Sequence, residues 1–114
     1  VIKIQLIQKT SINKLSYQIF SDDVLIANGN DYKASDSVFK ALRAVRDNIK
    51  KDKRVVKGAI SWGIKSANGQ FVLESVKLTK EGQAEAALTA LRDYLADDKN
   101  IQYIGVDGVP RSLE

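Results

Sequence analysis

Ala41–Ile49 reads ALRAVRDNI and Ala87–Leu95 reads ALTALRDYL. Five of the nine residues are identical, at an offset of 46. In the first stretch Val38, Leu42, Val45 and Ile49 recur at i, i+4, i+7 and i+11, the stripe of an amphipathic helix. Ala84, Leu88, Leu91 and Leu95 repeat that stripe 46 residues later. Two helices that each bury one stripe need a common partner layer, and the residues between them supply it.

Working outward, alternation of period two marks the strands. Ile2, Ile4 and Leu6 alternate with Lys3 and Gln5 within Val1–Lys9, and Leu15, Tyr17 and Ile19 alternate with Ser16 and Gln18. Ser11–Lys14 reads as the turn between them. Asp22-Asp23 turns into a third strand, Val24–Ala27, and Asn28–Asp31 is a loop. Ser35 or Asp36 is expected to cap the first helix. Lys50–Arg54 (KKDKR) reads as an exposed charged linker. Ile60, Trp62 and Ile64 then alternate with Ala59, Ser61 and Gly63. Asn68-Gly69 predicts a type I′ hairpin turn into Phe71–Leu78. Thr79 is expected to cap the second helix, and Ile101–Val106 is the last strand.

The expected fold is therefore α+β: two hairpin–helix repeats in the order βββαββαβ, with an antiparallel sheet and both helices on one face. The repeats cover about residues 16–49 and 61–95 of a single domain, 1–108. Residues 109–114 read as a vector-derived or disordered tail. Asp22-Asp23 maps onto Asn68-Gly69 at offset 46, but Tyr17 and Ile19 map onto Trp62 and Ile64 only at offset 45. A one-residue slip would turn every side chain of a strand to the other face, so the second turn is expected to be one residue longer.

Ile64–Ser75 (IKSANGQFVLES) followed by a capped helix resembles the repeat of the YegP-like family, a strand, an Asn-Gly turn, a strand and a helix. Tyr32–Asn48 (YKASDSVFKALRAVRDN) is similar to the helix segment of that repeat. The resemblance covers about Ser16–Ile49 and Ser61–Leu95. It departs at Asp22-Asp23, where the pattern has Asn-Gly, and in the extra strands at both ends. The family carries no established activity, so the resemblance implies a fold and no chemistry.

Composition narrows the chemistry. Of 114 residues none is histidine, cysteine or methionine. The usual general base near neutral pH is absent, as are thiolate nucleophiles, disulfides and the commonest zinc ligands. A cysteine-free core fits a cytoplasmic protein. The start without methionine reads as a trimmed or processed chain, and VIKIQLIQ lacks the continuous apolar run of a signal peptide. There is neither a phosphate-binding loop nor a dinucleotide fingerprint.

Ser61-Trp62-Gly63, Glu85 and Asp107 resemble, in their strand–helix–strand placement, the carboxylate positions of ribonuclease-H-like enzymes. Two-metal chemistry needs carboxylates converging on one point. Lys57–Ile64 contains no aspartate, so no catalytic or metal site is expected, and the chain reads as a non-enzymatic protein without a cofactor. Tyr17 and Trp62 are assigned to the core rather than to base stacking.

Charge is the remaining signal. The first 57 residues hold twelve Lys/Arg against six Asp/Glu, and the last 57 hold six against eight. Lys40, Arg43, Arg46, Lys50, Lys51, Lys53, Arg54 and Lys57 lie within eighteen residues, some opposite the apolar stripe of the first helix. Such a run neutralises phosphates without reading sequence. The expected function is a small binding module that contacts nucleic acid, or another polyanion, through this basic helix and linker. The alternative is a protein-interaction or regulatory module that uses an exposed strand edge or helix face. No membrane partner is expected.

Overall fold

The computed structural model describes residues 1–113. In chain order these form β1 (Ile2–Lys9), β2 (Lys14–Ser21), β3 (Val24–Gly29), α1 (Ser35–Asn48), a 3-10 turn (Asp52–Arg54), β4 (Val55–Lys57), β5 (Trp62–Lys65), β6 (Phe71–Ser75), α2 (Gln83–Ala96), β7 (Gln102–Ile104) and β8 (Pro110–Ser112). The sheet order is β4-β5-β6-β3-β2-β1-β7-β8. All neighbours are antiparallel except β1 and β7, which run parallel through Gln5 and Ile104. The fold is α+β, with two helices and an eight-stranded mixed sheet among the described residues.

Three expectations change. The order is βββαβββαββ: β4 arises from Val55–Lys57, just after the residues read as linker and assigned to no element, and β8 from residues read as tail. Neither short strand alternates apolar with polar, because both flank the sheet and bury little, so period two had nothing to show. The segment 109–114 is not a loose tail as far as it is described: β8 pairs with β7, and Leu113 donates to the Ile101 carbonyl and is buried. Glu114 lies outside the described residues. Finally, the sheet is mixed rather than antiparallel. Parallel and antiparallel strands share the same side-chain period, so only the crossover through α2 sets the direction of β7.

Both helix stripes are buried as read. Leu42 is 2% exposed and Leu88 1%, and Val38, Val45, Ile49, Ala84, Leu91 and Leu95 join them in one core with Tyr17, Ile19, Trp62 and Ile64. The helices touch each other over the sheet. Their starts differ from expectation. Ala34 precedes α1 in an extended conformation without a side-chain cap, and α2 begins after Gly82 at φ +75° rather than at Thr79. There Lys80 N–H donates to Gln83 Oε1, and Gln83 N–H returns to the Lys80 carbonyl.

The two hairpin turns exchange the expected types. Asp22 and Asp23 both take positive φ, at 49° and 66°, the backbone of a type I′ turn. At Asn68-Gly69 only Gly69 does, at 85°. Gly69 N–H donates to the Ser66 carbonyl, closing a three-residue loop, Ala67–Gly69, of type I followed by a left-handed glycine. The second loop is thus one residue longer, as the strand faces require. Each hairpin slips register at the corresponding place: β3 has an extra residue, Ile26, opposite Ile19/Phe20, and β6 has Val72 opposite Ile64/Lys65. Where the hairpins meet, Asn28 pairs with Glu74, flanked by Ala27–Ser75 and Gly29–Leu73.

Candidate binding edge at strand β4

The eight basic residues differ in their partners. At about 100° per residue, Lys40, Arg43 and Lys50 fall on the solvent face of α1, but Asp36 and Asp47 fall among them. Arg46 Nε lies 3.0 Å from Asp47 Oδ1. Lys50 Nζ meets Asp98 Oδ1 at 3.2 Å, and Lys57 Nζ faces Glu85 Oε1 at 3.8 Å. Arg54 donates to Asn48 Oδ1, whose amide nitrogen donates in turn to the Ala44 carbonyl, so this arginine ties the 3-10 turn to the end of α1. Lys40, Arg43, Lys51 and Lys53 are exposed and make no ion pair among the described residues. Lys51 precedes, and Lys53 lies within, the 3-10 turn that leads into β4.

Strand β4 ends the sheet, and among the described residues no strand pairs with its outer side. Gly58 N–H donates to the Ser61 carbonyl at 2.8 Å, which sets the phase of the β4–β5 ladder. Narrow pairs alternate with wide ones, so Val56–Gly63 is narrow and Val55–Ile64 and Lys57–Trp62 are wide. Val55 and Lys57 therefore turn their backbone groups outward; the Val55 N–H is taken by the Asp52 carbonyl of the 3-10 turn, which leaves the Val55 C=O and both groups of Lys57 without a backbone partner among the described residues. The Val56 side chain, on the face of Gly63, is 43% exposed. This is the geometry of a strand-addition edge beside two uncommitted lysines. Charge reasoning found the lysines and missed Val55 and Val56; the adjacent β-branched residues after KKDKR were the available signal.

Beside the edge, a cleft opens between the β4–β5 turn and the start of α2. Lys57, Gly58, Ala59 and Ser61 form one wall, Ala84 and Glu85 the other, with Trp62 and Leu88 beneath. Trp62 is buried, and its indole N–H has no partner among the described residues. Tyr17 is also buried, with its hydroxyl donating to the Val72 carbonyl, and burial holds its pKa well above the ordinary tyrosine value. Both aromatics belong to the core, as read.

The carboxylates of the nuclease-like pattern separate. Glu85 stands at the β4 side of the sheet. Asp107 stands in the β7–β8 turn at the other end, where Arg111 donates to both its oxygens at 3.0 and 2.7 Å. Those bonds and the Val109 N–H hold Asp107 down at about 2. Gly105 packs against the same guanidinium, and a Cβ there would come within 2.3 Å of Arg111 Nη1. Among the described residues no group of three acidic, histidine or cysteine side chains is placed to hold a metal ion. No helix among them is long and apolar enough to cross a membrane.

No family model matches the chain, and no curated protein matches it. Solved structures do. The solution structure of UPF0339 protein SO3888 from Shewanella oneidensis superposes with a TM-score of 0.72 at 13% identity, over 81% of this chain and 82% of that one. The solution structure of yegP from E. coli, a protein of unknown function, gives 0.69 at 20% identity, over 80% and 83%. The two-helix, mixed-sheet architecture described above is thus a YegP-like fold.

Proposed function

We propose that this chain is a non-enzymatic binding module that adds an extended acidic segment of a partner protein to the β4 edge. The observation that carries the reading is the outward-facing Val55 C=O and the N–H and C=O of Lys57 next to Lys51 and Lys53, two lysines without carboxylate partners among the described residues. Main-chain hydrogen bonds supply affinity in strand addition, and the lysines select for acidic flanks. Titrating the full chain with a fluorescent acidic peptide at low salt tests it. Changing Lys51 and Lys53 together to glutamine weakens binding about tenfold without altering stability, because exposed charges contribute little to folding. Peptide binding that is indifferent to this change removes the charged edge from the site.

A second reading keeps nucleic acid as the partner, favoured by the four unpaired cations Lys40, Arg43, Lys51 and Lys53. Oligonucleotides in the same titration distinguish it: three or four phosphate contacts on duplex DNA give a log–log salt slope of about −3 to −4. Within the same proposal the protein works in the cytoplasm and belongs to the YegP-like family. It is built from two βββα units, β1–α1 and β4–α2, related by a pseudo-twofold axis through the Asn28–Glu74 pair. Supporting the two units are the shared helix stripe, the matching bulges at Ile26 and Val72, and the symmetric β3–β6 register.

A further inference from the structure

The β1 side of the sheet contains a filled counterpart of the β4 edge. Tyr17 corresponds to Trp62, Gln18 to Gly63 and Ile19 to Ile64. Their neighbours on the outer strands are Leu6, Gln5 and Ile4 on β1, and Lys57, Val56 and Val55 on β4. On β1 the outer side is occupied: β7 runs parallel to it, with Ile104 opposite Gln5. Tyr103 of β7 stacks on Phe39 of α1 at 5.2 Å between ring centroids, beside a cleft that both share with Leu6. The position outside β4 has no such strand among the described residues. Its cleft is lined by Lys57 where the other has Leu6, and by Glu85 where the other has Phe39, at the 46-residue offset.

We infer that the partner segment docks parallel to β4, in the place β7 takes on β1, and inserts a side-chain amide between Lys57 and Glu85. This rests on the strand-addition reading above and specifies its geometry. The backbone argument is that the Val55 C=O and the Lys57 N–H face outward on either side of Val56, just as the Ile4 C=O and Leu6 N–H flank Gln5 at the β1–β7 pairing, while the Val55 N–H stays on the Asp52 carbonyl. The side-chain argument is chemical. An aromatic ring suits Leu6 and Phe39 but would desolvate the Lys57–Glu85 ion pair without hydrogen-bonding either group. The gap of 3.8 Å between Lys57 Nζ and Glu85 Oε1 is long for a direct hydrogen bond. An amide presents an oxygen to Lys57 and an NH₂ to Glu85, satisfying both. A parallel segment passes Lys53 before it reaches Lys57, so its acidic residues lie N-terminal to the amide.

The test uses two synthetic peptides carrying the chain's own Ile101–Val106 sequence behind three glutamates. One keeps the tyrosine and the other has glutamine in its place. Nitroxide tags at either peptide end are read as line broadening of backbone amides in the isotope-labelled full chain. The expected result is that the glutamine peptide binds about tenfold more tightly, the scale of a hydrogen bond to a charged group. The N-terminal tag then broadens Lys53 and Val55, and the C-terminal tag broadens Gly58 and Ser61. A double variant, Lys57→Leu with Glu85→Phe, recreates the β1 cleft at two exposed positions and reverses the preference toward the tyrosine peptide. Binding with the tag pattern exchanged, or an unchanged preference in the double variant, overturns the parallel amide slot while leaving strand addition standing. Failure of both peptides to bind overturns both readings.

Discussion

The two flanks of the sheet, whose inner strands correspond under the proposed two-unit reading, finish differently. On one, β1 runs eight residues and pairs with the whole of β2; β7 and β8 then continue the sheet beyond it. On the other, β4 pairs over three residues and the sheet stops. The difference follows the residues at the junction. Leu6 and Phe39 accept an apolar strand from the chain itself, whereas Lys57 and Glu85 face each other over a polar cleft. A few side chains thus decide whether a flank takes up further strands of the chain itself. Exposed edges are commonly blunted by lysine and by shortness, and β4 has both. Strands β4 and β8 are the two edges of the sheet among the described residues.

Breaking the correspondence between the halves at its centre has the largest expected effect. Leu42→Ala and Leu88→Ala remove equivalent, fully buried side chains and should each cost about 2–5 kcal/mol in urea unfolding, since a buried leucine leaves a cavity. Costs differing by more than that range would mean the two helices do not share the core equally. Gly29→Ala comes next. The Tyr17 ring lies over Gly29, and a Cβ there would sit 2.2 Å from it. Overpacking of this kind costs about 1–3 kcal/mol. The matching position in the other half is Ser75, whose Oγ accepts from Trp62 N–H at 2.8 Å. Ser75→Ala introduces no clash and should lose that bond and the one the hydroxyl donates to the Val76 carbonyl, about 1 kcal/mol each, and denaturation of both variants checks the contrast between overpacking and lost hydrogen bonds.

Tyr17 sharpens the comparison through pH. Its folded pKa is raised above the ordinary 10.0 by burial, with a smaller push from Tyr32. The unfolded chain therefore loses this proton first as pH rises. The contribution is fully present below pH 10 and drains away above it. The unfolding midpoint of the wild type should be lower at pH 11 than at pH 8, and the difference should be smaller for Tyr17→Phe, which cannot ionise. At pH 8 that variant should be weaker by about 1 kcal/mol, having lost the bond to the Val72 carbonyl.

The smallest effect lies in the β7–β8 turn. Asp107, held at about 2 by Arg111, should keep its bonds until the pH falls well under the ordinary 3.8. Its contribution is present above the ordinary value and lost as pH falls through the folded one. The group is exposed, so the expected readout is local: amide shifts of Val109 and Arg111 change near pH 2, and Asp107→Asn abolishes that step.

Much of this was legible in the residues. The stripes at Val38–Ile49 and Ala84–Leu95 and the alternation through Tyr17, Ile19, Trp62 and Ile64 reached the structure unchanged, because burial on one face imposes a period that local sequence records. The extra residue in the second hairpin loop was legible from the clash of offsets. The basic run was visible as charge, but its division was not. Arg46 and Asp47 are neighbours in sequence, whereas Lys50–Asp98 and Lys57–Glu85 join residues far apart in it, and only folding brings them together.

By itself, then, the sequence determined two amphipathic helices, two hairpins and one shared core, since apolar periodicity is a property of each segment alone. The tertiary structure decided which flank the last strands join, that β7 runs parallel to β1, and that Val55–Lys57 ends the sheet on that side. Those outcomes rest on pairings between distant segments. A three-residue exposed strand carries no periodic signature of its own, and its place at the edge is set by what packs beside it.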